Sequence, residues 1–438
     1  MSGIAYVFRR QGYTVSGSDI GNSDTIESLA KSGIKIFPKH NSENIDGATV
    51  VVTSTAIGKD NPEVTEAKAR KIPVVPRAEI LGELMRGKIG IAVAGTHGKT
   101  STTTMLGLVL GNAKMDPTVI VGGKVDALEG SARLGTGDIV VAEADESDSS
   151  FLNLPMTYSI ITNIDLDHLD HFQNQDNLDN VFQAFVSKLP FYGKSIVCGD
   201  DEGVRRNILK FTKPVLTYGV GKDNDYCAYD LNRSGWKTQF KVKKHDIELG
   251  NFVVNLPGDH VVMNALSVIA LCDEIGLESD KIESGIELYR GVRRRFEVIF
   301  EDSPGGRILI DDYAHHPTEI KATLRAAKAI CGDKKLKVVF QPHRFTRTRD
   351  CFDQFAGSFS DADCIAITEV YPAGEVLIPG YTSIDLVDNL KKNLPEKDVR
   401  FLQESQLNSG LKFENNTVLL FLGAGTISKL ARIYVDAL

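Results

Sequence analysis

Short apolar runs, many of them β-branched and bounded by glycine or polar turns, recur along the chain at the spacing of βα units. Continuous runs of this kind suit parallel strands covered on both faces, whereas strict alternation suits a sheet with one wet face. In residues 1–88 the pattern predicts strands at Thr14–Ser16, Ile34–Phe37, Thr49–Thr53 and Pro73–Val75, with helices between them. A second unit, residues 89–292, opens on the run Ile89–Ala94 and carries further runs at Ile139–Ala142, Ser159–Thr162 and Ser195–Cys198. Between Asp223 and Leu249 alternation takes over, which predicts a small antiparallel insertion. The third unit, residues 293–438, has runs at Arg307–Ile310, Lys337–Phe340, Ile365–Thr368 and Val418–Leu422.

This pattern predicts an α/β protein of three domains with mostly parallel sheets. The chain opens at Met1-Ser2-Gly3-Ile4-Ala5, which reads as the tail of a glycine-rich turn entering a helix. The first sheet is therefore expected to lack its leading strand.

The run Ile89–Ala94 ends in Gly95-Thr96-His97-Gly98-Lys99-Thr100-Ser101, and a helical pattern follows. A strand, a glycine-bracketed turn and a helix in that order form a phosphate-binding loop. Backbone N–H groups and the helix N-terminus face the phosphates, Lys99 neutralises them, and the Thr100 hydroxyl is placed for a divalent cation. Val93 stands where the general pattern has its first glycine.

Composition narrows the partners. A net charge of −8 over 438 residues argues against a general nucleic-acid binder. The six cysteines show no C-x-x-C pair, so neither a disulfide framework nor a zinc site is expected, and a reducing cytoplasm fits. No apolar run approaches the ~20 residues needed to span a bilayer.

Several polar clusters follow predicted strands. Glu143, Asp145, Glu146 and Asp148 come one βα unit after the phosphate loop, and Glu143, nearest its strand, is the preferred Mg²⁺ ligand. The stretch Asp165-Leu166-Asp167-His168-Leu169-Asp170 offers His168 and Asp170 for a second metal ion. Arg293, Arg294 and Arg295 sit at a domain junction, where a guanidinium pairs with phosphate or a linker carries solvated charge. Asp311-Asp312-Tyr313-Ala314-His315-His316-Pro317 suits either a charged amine and its carboxylate or simply a helix start. Arg344 and Arg347, three apart, are expected to share a helical face and bind a carboxylate. Asp19 stands where a dinucleotide-binding unit carries its ribose-contacting acid.

Taken in order, with Pro257-Gly258-Asp259-His260 and Asn264 added, these motifs span essentially the whole chain. The sequence resembles the Mur ligases, the ATP-dependent amide-bond-forming enzymes of peptidoglycan synthesis. The motifs around Asp312 and Arg344 are most similar to the branch that adds L-alanine to UDP-N-acetylmuramate. A sister branch attaches an intact tripeptide to the same sugar nucleotide and is the alternative.

The resemblance implies a Rossmann-like UDP-sugar domain, a central domain of phosphate-loop ATPase type and a Rossmann-like amino-acid domain. It implies ATP with Mg²⁺ or Mn²⁺, the metal being held by Thr100, Glu143 and His168. Residues Gly95 to Ser101, His260, Asn264 and either Arg294 or Arg295 are implied to bind the nucleotide. Tyr313, His315, Arg344 and Arg347 are implied to receive alanine. Ser18, Asp19, Ser54, Arg77 and Glu79 are implied to hold the UDP sugar. Lys99, Glu143, His168, Asp312 and His315 are the implied catalytic groups, with His315 or Asp312 as the base. The expected partners are small molecules, with no nucleic acid and no membrane, for a cytoplasmic monomer or homodimer.

Overall fold

The computed structural model describes residues 1–21, 23–125 and 130–438. In the first part of the chain the strands are β1 (Ser16–Ser18), β2 (Lys35–Phe37), β3 (Val51–Thr53) and β4 (Val74–Pro76). They form two separate parallel pairs, β1–β2 and β3–β4. β1 starts two residues later than expected, because its ladder to β2 begins only at the Ser16–Lys35 pair. The helix Ser2–Arg10 buries Ile4 and Val7 in one core with Leu81, Ile120 and Ala132. Its apolar stripe therefore packs on the middle of the chain, where Gly3 lets the helix lie against Ser131.

The central sheet has ten strands. They are β5 (Ile89–Ala94), β6 (Thr118–Val125), β7 (Gly130–Arg133), β8 (Ile139–Glu143), β9 (Tyr158–Ile161), β10 (Lys194–Cys198), β11 (Val215–Gly219), β12 (Tyr226–Ser234), β13 (Lys237–Lys244) and β14 (Ile247–Val254). The order is β14-β13-β12-β11-β10-β9-β5-β8-β6-β7, with β5 paired in parallel to β8 and β9. Apolar cores cover both faces of this sheet, which explains why β5 and β8 read as unbroken apolar runs. The expected antiparallel insertion is β12–β14. β6 was not anticipated, since Gly122 and Gly123 interrupt its apolar pattern.

In the last part of the chain the strands are β15 (Glu297–Asp302), β16 (Arg307–Asp312), β17 (Lys335–Phe340), β18 (Cys364–Ile367), β19 (Asp398–Phe401) and β20 (Thr417–Leu422). Their order is β15-β16-β20-β17-β18-β19, parallel except for the edge strand β15. The wholly buried β20 lies between β16 and β17, so the loops following those two strands emerge side by side. In open α/β sheets that position, outside the carboxyl ends of the strands, is where ligands bind. Among the described residues no helix is long and apolar enough to cross a membrane. The six cysteines are unpaired.

Candidate active site

Strand order assembles the middle-domain motifs. β8, β5 and β9 are neighbours, so the phosphate loop after β5 is flanked by the acidic cluster after β8 and the Thr162–His168 stretch after β9. Gly95 (φ 124°) and Gly98 (φ 84°) both occupy the left-handed region. A Cβ at Gly95 would collide with Thr162 Oγ1, and one at Gly98 would stand 2.8 Å from Asn264 Oδ1. The loop is thus clamped between the β9 loop and the helix Asp259–Glu274.

Lys99 Nζ donates to the Gly95 and Thr96 carbonyls at 2.7 and 3.1 Å, and to Glu146 Oε2 at 2.8 Å. Burial pushes the Glu146 carboxyl up to about 7 despite the lysine beside it. Thr100 Oγ1 donates to Glu143 Oε2 at 2.9 Å, and the Gly122 N–H donates to the same oxygen at 2.8 Å. Thr100 and Glu143 are therefore brought together as a pair of oxygen donors suited to a hard cation. His168 is not part of this pair. It lies after β9 in a left-handed conformation, against Asp167, and burial holds its pKa below the ordinary histidine value. The side chain of Asp170 lies outside the described residues.

A cleft of about 540 Å³ opens beside the loop, between the middle and third domains. His97, Gly98, Ser101, His260, Asn264, Arg295 and Asp312 all line it. Burial pushes His260 down to about 4, so its imidazole is neutral there. Asp312 is raised to about 6 by burial, and its two oxygens accept the Phe296 and Ala314 N–H groups at 2.7 Å each. Arg295 lies over the Tyr313 ring at 4.9 Å and 3.5 Å from Glu319. Arg294 does not line the cleft. It donates instead to the Gly423 carbonyl at 2.9 Å, with its guanidinium 4.7 Å from the centre of the Tyr313 ring. Of the two arginines, only Arg295 faces the nucleotide-sized space.

A second, small cleft brings His168 together with Arg344 and Arg347. The two arginines do not share a helical face as expected. Arg344 (φ 70°) precedes the helix Phe345–Asp350 as its cap and donates to Glu375 at 2.6 Å. Arg347, inside the helix and buried, clasps Asp167 with Nε and Nη2 at 3.1–3.2 Å. The charge of Arg347 holds the Asp167 carboxyl well below the usual range. His315 does not line this cleft; its Nδ1 lies 3.0 Å from the Tyr313 carbonyl and 3.1 Å from Glu319.

Glu319 and Thr318 were not singled out from sequence. Glu319 accepts from the His315 N–H and the His316 N–H at 3.1 and 3.4 Å, and lies 3.3 Å from His97 Nδ1. Thr318 donates to Asp165 at 2.6 Å. The signal was present, since Glu319 is the third helical residue after His316-Pro317, the reach-back position of a capping box.

In the first domain Ser18 is pinned by His40 and Glu63, each at 2.8 Å, and Asp19 accepts the Gly21 N–H in a turn. Arg77 begins the helix Arg77–Met85, which also carries Glu79, and its guanidinium lies 3.9 Å from Asp145. Ser54 directly follows β3. The predicted sugar-binding residues thus lie at or just after strand ends, and one of them, Arg77, approaches the acidic cluster.

Comparison with known proteins gives this arrangement a family. Residues 1–89 match the Mur ligase family, catalytic domain; residues 93–272 match the Mur ligase middle domain; and residues 294–425 match the Mur ligase, glutamate ligase domain. Three α/β domains around a phosphate loop define a Mur ligase, and the chain belongs to that family. It is 44% identical to the UDP-N-acetylmuramate–L-alanine ligase of Geobacter sp. (strain M21), over 98% of this chain and 93% of that protein. Its structure is similar to the UDP-N-acetylmuramate-alanine ligase of Thermotoga maritima, with a TM-score of 0.85 and 32% identity, covering 100% of this chain and 96% of that one. A murein peptide ligase from Psychrobacter arcticus shares the fold, with a TM-score of 0.74 and 24% identity over 100% of this chain and 96% of that one.

Proposed function

We propose that the protein joins L-alanine to the carboxylate of UDP-N-acetylmuramate while converting ATP to ADP and phosphate. The observation that carries this reading is the full-length likeness to alanine-adding ligases, 44% in sequence with the Geobacter protein. The clefts supply the chemistry. A carboxylate is a poor acyl donor, so it is first phosphorylated, and the amine then attacks the acyl phosphate.

The phosphates sit on the loop Gly95–Ser101, with the adenosine in the interdomain cleft against His260, Asn264 and Arg295. Lys99 leaves Glu146 to meet the phosphates, and its charge stabilises the moving phosphoryl group. Thr100 and Glu143 fit Mg²⁺ as paired oxygen donors. His168, neutral through burial, fits a second ion on the substrate side. A metal ion held by these residues would supply charge stabilisation to the transferred phosphoryl group.

Arg344 and Arg347 receive the alanine carboxylate in the small cleft. Asp312 is spent on two backbone N–H groups and acts as a positioning residue. His315 is the better base: a carbonyl and a carboxylate hold its Nδ1–H, which leaves Nε2 unprotonated for the ammonium proton of alanine. Ser18, Asp19, Ser54, Arg77 and Glu79 hold the UDP sugar. Closure across the domains keeps water from the acyl phosphate.

Mass spectrometry of the products tests the reading when L-alanine and the tripeptide L-alanyl-γ-D-glutamyl-diaminopimelate are supplied together. The expected product is UDP-N-acetylmuramoyl-L-alanine. A predominant tripeptide product would assign the protein to the sister branch instead.

A further inference from the structure

We propose that His97, Asp165 and His316 form a binding site for a borderline divalent cation of the Zn²⁺ or Co²⁺ type, built across the seam between the middle and third domains. One ligand atom from each of the three lies within 4.8 Å of the others. His97 Nε2 is 3.1 Å from Asp165 Oδ2, and His316 Nδ1 is 3.5 Å from the same oxygen. Ligands at about 2.0–2.1 Å from a tetrahedral metal stand ~3.3–3.4 Å apart, so two of the three edges are already near bonding size.

His316 supplies an independent observation. Its side chain is 2% exposed, and beyond the helix-capping contact with the Glu319 backbone its ring nitrogens make no hydrogen bond. A buried imidazole so sparsely partnered is rare in a settled core, and here it lies 3.5 Å from a carboxylate with its ring centre 5.0 Å from a second imidazole. The surroundings are those of a metal-binding histidine. Glu319 Oε1 lies 3.3 Å from His97 Nδ1 and keeps that nitrogen protonated, so a cation displaces only the proton on Nε2, which faces Asp165. Asp165 is oriented in turn by the Thr318 hydroxyl at 2.6 Å and the Leu166 N–H at 3.0 Å.

The donor set separates this site from the Thr100–Glu143 pair. Two imidazoles and one carboxylate select Zn²⁺, Co²⁺ or Ni²⁺, whereas hydroxyl and carboxylate oxygens select Mg²⁺. Because His316 comes from the third domain and the other two ligands from the middle domain, the site is complete only when the domains are together. A bound cation ties the phosphate loop to the loop after β16.

The test uses the full-length protein stripped with a chelator and then titrated with Co²⁺ in excess Mg²⁺, which occupies the oxygen site. The visible d–d absorption is the readout. The expected result is one saturable equivalent of Co²⁺ that Zn²⁺ displaces, with the bands lost in His316→Gln and in Asp165→Asn. Glu319→Gln, which removes the charge beside His97 Nδ1 and keeps the side chain's length and one carbonyl oxygen, should weaken binding ~10–100-fold. Circular dichroism checks that each variant is folded, and the isosteric Asp165→Asn decides the matter if His316→Gln is not. The absence of saturable bands in the unmodified protein, or unchanged bands in a folded His316→Gln or Asp165→Asn variant, would overturn the assignment. Ligation of alanine is measured separately and does not depend on this outcome.

Discussion

Glu319 of the third domain lies 3.3 Å from His97 of the phosphate loop, Oε1 to Nδ1, while its other oxygen is 3.1 Å from His315 Nδ1. One buried carboxylate therefore touches both the glycine-bracketed loop after β5 and the loop after β16. Burial alone would lower the His97 pKa, yet Asp165 and Glu319 raise it to about 9.

This shift sets a pH dependence. The folded value exceeds the ordinary 6.5, so the stabilisation is complete below pH 6.5 and is lost as the pH rises through 9. A gap of ~2.5 units corresponds to at most ~3–4 kcal/mol. Thermal or urea unfolding of the wild type and His97→Gln should show a difference near pH 6 that shrinks toward pH 10. A difference that stays constant over that range would refute the ion pair.

Lys99 is held by Glu146 at 2.8 Å, and on the proposed reading a nucleotide phosphate takes its place. Lys99→Ala should lower kcat by at least ~10²-fold, the scale of one preorganised electrostatic contact. Glu146→Gln should instead lower the melting temperature of the nucleotide-free protein, because a buried ammonium loses its partner. The same change should tighten ATP binding in calorimetry, since no carboxylate competes with phosphate. Weaker binding would mean that Glu146 serves the nucleotide and not the empty loop.

Arg344 and Arg347 should separate kinetically. Arg344→Ala should raise the KM for alanine ~10–100-fold with little change for ATP, as expected for losing a charged hydrogen bond. Equal effects on both substrates would remove its carboxylate role. Arg347→Ala also strips the buried Asp167 of its partner and should cost ~3–5 kcal/mol of stability by urea unfolding.

Gly95→Ala should abolish nucleotide binding, because the left-handed φ and the contact with Thr162 both forbid a side chain. Isothermal titration with ATP would check it, and a variant that still binds would show that the loop has room to move.

The residues written into one continuous segment were legible. The run Ile89–Ala94 coincides with β5, and Thr100 meets Glu143 as expected, since strand and loop obey local rules and β8 neighbours β5. The antiparallel insertion was visible through alternation alone. Partners distant along the chain were not legible. Nothing local to Arg347 shows that Asp167, 180 positions away, receives it, or that Arg344 turns to Glu375 at a positive φ. Arg294 and Arg295 look equivalent in sequence, and only the Gly423 turn separates them. Glu319 was readable as a capping residue, while its contact with His97 depends on the packing of two domains.

Release of ADP with each substrate omitted in turn tests the proposed ligation on its own terms. Turnover should require ATP, UDP-N-acetylmuramate and L-alanine together, with one ADP per amide formed. Sustained ADP release without L-alanine, or none with all three present, would show that this chain does not carry out the reaction.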